Sequence, residues 1–107
     1  MQKYKVLIWR TDNSEEEHDL GTDRSWIKIY PLINADTIQI QKGFITGFSK
    51  RSFEILIDGE GKLKNKKLND KANCAWYNWL TRANRVPVMG DYIAGDVAVI
   101  QKINTTI

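Results

Sequence analysis

One histidine and one cysteine are all the chain offers of the residues that most often carry acid–base, nucleophilic or zinc chemistry. His18 stands in a polar, acidic stretch, where a bystander imidazole is expected rather than a general base. Cys74 falls within a helical pattern with no histidine near it in sequence, so an inert, buried or half-buried thiol is expected. One Cys and one His cannot complete the usual zinc sphere. The carboxylates between Asp12 and Asp23 lack the Asp-x-Asp-x-Asp-Gly order of a calcium loop. Ser25, Ser49 and Ser52 are not framed by a Gly-x-Ser-x-Gly elbow, and no Walker-type glycine loop occurs. Asp58-Gly59-Glu60-Gly61 has spaced glycines, but in a hairpin setting they make a tight reversal. Asp91 and Asp96 could form a carboxylate pair, but each adjoins a glycine, where Asp commonly organises a turn. These residues predict no catalytic site, no metal site and no cofactor, and hence a protein that is not an enzyme.

Binding chemistry is better supplied. The net charge of +3 is mild, yet it is polarised along the chain. Asp12, Glu15, Glu16, Glu17, Asp19 and Asp23 form one acidic segment. Lys62, Lys64, Lys66, Lys67, Lys71, Arg82 and Arg85 form a basic one, interrupted by Asp70. Such a basic run attracts phosphate and makes nucleic acid one expected class of partner. The acidic run offers a phosphate-like pattern to a basic protein. Trp9, Trp26, Tyr30, Tyr77 and Tyr92 exceed what so small a core absorbs, and exposed aromatics anchor protein interfaces. Glu15, Glu16, Glu17, Asp19, Trp26, Tyr30, Tyr77 and Tyr92 are therefore the candidate protein-binding residues. The seven basic residues are the candidate nucleic-acid-binding set.

The elements that must position these groups follow from periodicity. With 107 residues, 42% hydrophobic and 27% charged, the chain fits one globular domain. Lys3 to Trp9 reads as a central strand, with Tyr4, Val6 and Ile8 on one face and Leu7 and Trp9 on the other. Thr11 to Arg24 reads as a loop or a short helix opened by Glu15 to Glu17. Trp26 to Leu32 reads as a second strand ending at Pro31. Thr37 to Gln41 alternates as a half-exposed strand, with Ile38 and Ile40 inward, and Phe44 to Phe48 could extend it past Gly43. Ser52 to Ile57 is a further strand, and Lys62 to Lys64 could return beside it. Asn69 caps the one clear helix, whose stripe of Ala72, Ala75, Trp76, Trp79, Leu80 and Ala83 faces the core. Pro87 stops it. Tyr92 to Ile103 is a long closing strand, and Asn104 to Ile107 a frayed tail. The sum is an α+β domain: a curved, mainly antiparallel sheet of five or six strands, open or barrel-like, with one amphipathic helix packed on it. The first ten residues do not form a secretory signal, no apolar run has the length of a membrane span, and a single cysteine suits a reducing compartment. A cytoplasmic protein with no membrane partner is the expectation.

Ile27 to Leu32, the run Phe53 to Leu63, Leu68-Asn69 with Ala72, and Ile93-Ala94-Gly95-Asp96-Val97-Ala98-Val99 follow one another in an order that resembles a small uncharacterised domain family of phages, conjugative plasmids and their bacterial hosts. Strand Tyr4 to Trp9 fits it too. Ile33 to Arg51 looks like an added hairpin, and the acidic stretch replaces a better-formed helix. The resemblance implies a mobile-element protein in a bacterial host, binding and modulating a host protein, for example as an inhibitor of a defence system. A nucleic-acid-binding accessory protein and a small-ligand sensor or hydrolase are the alternatives. A homodimer through an edge strand or the outer aromatics fits the same residues.

Overall fold

In the computed structural model, which describes residues 3–22, 26–45, 53–85 and 91–103, strand β1 (Lys3–Trp9) is apolar on both faces because it lies inside the sheet. Its neighbours are β2 (Glu15–Gly21) and β5 (Val97–Ile103), and beyond β5 follow β4 (Phe53–Asp58) and β3 (Ile38–Gly43). All pairings are antiparallel, in the order β2-β1-β5-β4-β3. The sheet is open rather than barrel-like, with β2 and β3 at its edges. The fold is α+β.

Each face of the sheet has its own core. Leu7, Trp9, Ile55, Ile57, Val97 and Val99 point to one side, where helix α2 (Asp70–Arg82) covers them with Ala72, Ala75, Trp76 and Leu80. Val6, Ile8, Leu56 and Ala98 point to the other side, beneath Ile29, Ile33 and Ala35. The alternation expected of β1 and β5 thus becomes a three-layer arrangement. Trp9 is fully buried, its ring edge-on to Phe53 at 5.8 Å, so it belongs to the core and not to the surplus aromatics.

The covering segment corrects an expectation. Residues 26–32 are not a strand: Trp26–Lys28 is a 3-10 turn and Ile29–Leu32 the short helix α1. Ile29 and Ile33 are buried at helical spacing, and a short apolar run does not distinguish the two periods. Pro31 fits because a first helical turn needs no amide donor there. Tyr30 is half-buried against this lower core.

The acidic segment is also neither loop nor helix. Glu15 to Gly21 is edge strand β2, reached by a reversal in which the Arg10 amide donates to Ser14 O and Asn13 takes φ 70°. Only Leu20 of this strand is buried, so its apolar signal is nearly absent. Its charges find partners across the sheet and keep the edge from templating other strands.

Lys62 to Lys64 forms a turn, not a strand. Gly61 sits so close to the 93–95 segment that a Cβ there would meet Ala94 O at 2.6 Å. The regular closing strand begins at Val97, preceded by a single bridge between Leu68 and Ala94. In α2, Trp79 is half-buried and Ala83 exposed, because the helix ends at Arg82 and leaves Ala83 as its C-cap. Cys74 is exposed on the outer face of the helix, not buried. The expected continuation through Phe48, the stop at Pro87 and the tail after Ile103 lie outside the described residues.

Asn69 caps α2 as its sequence position predicts, accepting from the Ala72 amide at 3.0 Å. Trp76 is only 7% exposed, wedged between α2 and the sheet. Trp76→Ala is expected to cost about 3–5 kcal/mol in urea unfolding, the usual range for emptying a large aromatic site.

Candidate binding cleft

The alternation of β3 decides where a cleft forms. Gln39 lies opposite Ile57 and Gln41 opposite Ile55, and both isoleucines belong to the core under α2. The two glutamines therefore project on the helix side of the sheet. Ile38 packs on the opposite face, and Ile40 shares that face but stays exposed.

The opposite wall is residues 91–94. Two buried asparagines on one side of α2 hold it in place. Asn73 Oδ1 accepts from the Ile93 amide at 2.7 Å, and Asn73 Nδ2 donates to Ile93 O at 2.9 Å. The Asn69 amide donates to Ile93 O at 3.1 Å. One helical turn after Asn73, Tyr77 Oη donates to Asp91 O at 2.9 Å. The Tyr77 ring stacks on Trp76 with centroids 5.3 Å apart.

Between these walls is a cleft of about 280 Å3, lined among others by Gln39, Gln41, Lys62, Trp76, Asp91 and Tyr92. Lys62 Nζ donates to the Asp91 carboxylate and stands 5.0 Å from the centre of the Tyr92 ring. That hydrogen bond holds the Asp91 carboxyl below the usual carboxylate range. Tyr77 and Tyr92 remain 38% and 37% exposed, although each is tethered or covered on one side. The cleft offers carboxamides that both donate and accept, a charge pair and aromatic faces. Such groups orient a bound partner.

No family model, curated protein or solved structure matches the chain.

Of the residues singled out in the sequence, Tyr92 and Lys62 line this cleft, and Tyr77 adjoins it through its hydrogen bond to Asp91 O. Trp26 is placed in the turn before α1, and its side chain lies outside the described residues. Glu15, Glu16, Glu17 and Asp19 lie on β2 at the far edge of the sheet and are engaged within the molecule, and Asp23 lies outside the described residues. Glu15 accepts from Lys71 Nζ at 2.9 Å and Trp9 Nε1 at 2.8 Å. Glu16 takes both Arg10 Nε and Nη2, at 2.6 and 3.0 Å, and Glu17 pairs with Lys5 at 2.7 Å. Asp19 accepts from the Gly21 amide at 2.8 Å. His18 stands 3.3 Å from Glu16.

Six of the seven basic residues are likewise engaged. Lys64 and Lys66 converge on the buried Asp58 carboxylate at 3.1 and 2.7 Å. Lys66 also donates to Asn34 O at 2.7 Å, which ties the 59–66 turn to the segment under the sheet. Arg82 lies over the Phe44 ring and Arg85 over Trp79. Lys67 alone of the seven makes no ion pair or ring contact among the described residues. Asp91 and Asp96 do not act together. Asp96 instead accepts from the Thr11 amide at 2.9 Å and Arg10 Nη1 at 2.8 Å. Among the described residues, no three His, Cys, Asp or Glu side chains gather where they could hold a metal ion, and no helix is long and apolar enough to cross a membrane.

These ion pairs give stability a pH dependence of definite sign. Hydrogen bonds from Arg10 lower the Glu16 carboxyl from 4.5 to about 2. Burial pushes Asp58 up, but Lys66, the Glu60 amide and Lys64 together hold it below its ordinary value. Groups depressed in the folded state stabilise it above their unfolded pKa, and that contribution disappears as pH falls through the folded value. The urea midpoint is therefore expected to fall as pH drops from 4.5 toward about 2, with Glu16→Gln flattening the slope. Asp58→Asn at neutral pH leaves two lysines facing a neutral amide and is expected to cost about 1–3 kcal/mol in the same assay.

Gln39, Gln41 and Asp91 were not legible as site residues. Polar residues alternating on a strand read as its solvent face. The useful signal is that this polar face lies opposite Ile55 and Ile57, which appears only once the register is known.

Proposed function

We propose that this chain is a non-catalytic binding protein that occupies the surface of a host protein through the cleft between β3, α2 and residues 91–94. The observation that carries the reading is the concavity lined by Tyr92, Lys62, Gln39 and Gln41, with half-exposed Tyr77 beside it, stacked on Trp76 and bonded to Asp91 O. Rigid aromatic anchors beside adaptable carboxamides are the usual make-up of an interface hot spot with a polar rim. Both tyrosines are held in place before a partner arrives, Tyr77 by Trp76 and Asp91, and Tyr92 by Lys62. Little ordering cost then remains to be met on binding.

The resemblance to domains of phages and conjugative plasmids supplies the setting, a mobile element acting on a bacterial host protein by occupancy. Nucleic acid draws less support. Lys62, Lys64, Lys66 and Lys71 are already ion-paired, and phosphate would have to compete with those carboxylates. A hydrolase draws less still, because the cleft presents an ion pair and carboxamides rather than a nucleophile beside a base.

Affinity capture from bacterial lysate tests the proposal, with wild type and Gln39→Ala/Gln41→Ala compared side by side. A specific protein held by wild type and lost from the variant is expected, with both baits equally folded. Recovery of nucleic acid with steep salt dependence, or a partner held equally by both baits, contradicts it.

A further inference from the structure

We infer that strand β3 joins two copies of this chain, paired antiparallel about a two-fold axis that passes beside Ile40. The sheet has two edges, and their chemistry differs. Edge strand β2 reads Glu-Glu-Glu-His-Asp-Leu-Gly, whereas β3 reads Ile-Gln-Ile-Gln-Lys-Gly. The one charge on β3, Lys42, is met within the chain by Glu54 at 3.6 Å. Charge on an edge strand blocks strand addition, and its absence permits it. Ile40, at the middle of β3, is 41% exposed, an apolar side chain in the position where an edge usually carries a lysine.

Self-pairing requires the strand to be its own complement. Centred on Ile40, the register sets Ile40 against Ile40 of the second copy, Gln39 against Gln41, and Ile38 against Lys42. No like charges face each other. The isoleucines meet on the lower face and the glutamines on the α2 side, where carboxamides hydrogen-bond to one another readily. The same operation on β2, centred on Glu17, would set Glu17 against Glu17 and Glu15 against Asp19, which like-charge repulsion forbids. A second copy is thus the occupant whose chemistry β3 itself specifies.

The pairing merges two five-stranded sheets into one. Gln39 and Gln41 line the cleft, so the two clefts would open on the same face on either side of the seam. The dimer would present two binding sites at fixed spacing, and a partner with two matching sites would gain avidity. The pairing stands whether or not the cleft takes a protein.

Sedimentation equilibrium of the full chain tests it. Wild type is expected to dimerise below about 100 µM, a modest affinity suited to one added strand pair. Ile40→Lys places two ammonium groups face to face and is expected to weaken the dimer about 100-fold, with an unchanged urea midpoint. Should that variant misfold, Ile40→Cys in a Cys74→Ser background decides. Directly opposed Cβ atoms lie about 4.5–5.5 Å apart, so mild oxidation should cross-link the dimer far faster than Leu63→Cys in the same background. Wild type that stays monomeric to about 100 µM, an Ile40→Lys dimer as tight as wild type, or equal cross-linking at positions 40 and 63 overturns the inference.

Discussion

Asn69→Ala should be among the most damaging single substitutions in the chain, destabilising it by about 3–5 kcal/mol in urea unfolding. Asn69 is fully buried and uses both ends of its amide. Oδ1 accepts from the Ala72 amide and caps α2. Nδ2 donates to Trp9 O at 2.8 Å and to Gly95 O at 3.0 Å, fastening the helix start to the end of β1 and the approach to β5. Removing the side chain loses a cap worth about 1 kcal/mol and leaves Trp9 O and Gly95 O each short of a donor, at about 1–2 kcal/mol apiece. Asn69→Asp separates these contributions. It retains an acceptor for the cap but removes both donors, so nearly the whole loss should persist. If Asn69→Asp proved close to wild type, the cap alone would matter and the ties to Trp9 and Gly95 would be idle.

The second large effect concerns binding. Tyr77→Ala/Tyr92→Ala is expected to weaken the captured partner by at least about 100-fold, since hot-spot aromatics are commonly worth about 2 kcal/mol or more each. Neither ring is in the core, so the unfolding free energy measured in urea should change by less than about 1 kcal/mol. Isothermal titration on the purified pair reads the first quantity and urea unfolding the second. A matching loss in both would place the tyrosines among the structure-makers and remove the cleft's anchors.

Much of the fold is legible in the chain, and the reason is the same wherever it holds. The alternation in Val6-Leu7-Ile8-Trp9 and Val97-Ala98-Val99-Ile100 is carried by apolar residues on both faces, so it survives in isolation. Asn69 followed by the Ala72–Ala75–Trp76–Leu80 stripe likewise needs no tertiary partner to be read. β2 was not legible because its stability lies in its neighbours. Glu15, Glu16 and Glu17 are held by Lys71, Arg10 and Lys5, none of which stands beside them in sequence. Residues 26–32 read as a strand as readily as a helix, because Ile27 and Ile29 fit a period of two as well as Ile29 and Ile33 fit a period of four, and only burial distinguishes them.

The cleft was half legible. Tyr92 and Lys62, with Tyr77 beside them, stand out by type, but nothing local says that a lysine at 62 and an aspartate at 91 meet. The acidic and basic runs were conspicuous as sequence, yet most of their charges are consumed within the molecule. Local composition reports how many charges exist and not how many remain for a partner. Glu16 with Arg10, and Asp58 between Lys64 and Lys66, make that difference concrete.

Amide hydrogen exchange on the chain alone and with its captured partner maps the bound surface without altering a side chain. Slowed exchange at residues 39–41, 76–77 and 91–94 is the predicted footprint. Slowing confined to residues 15–19, with the cleft amides unchanged, would place the partner on the acidic edge and rule out the cleft as its site.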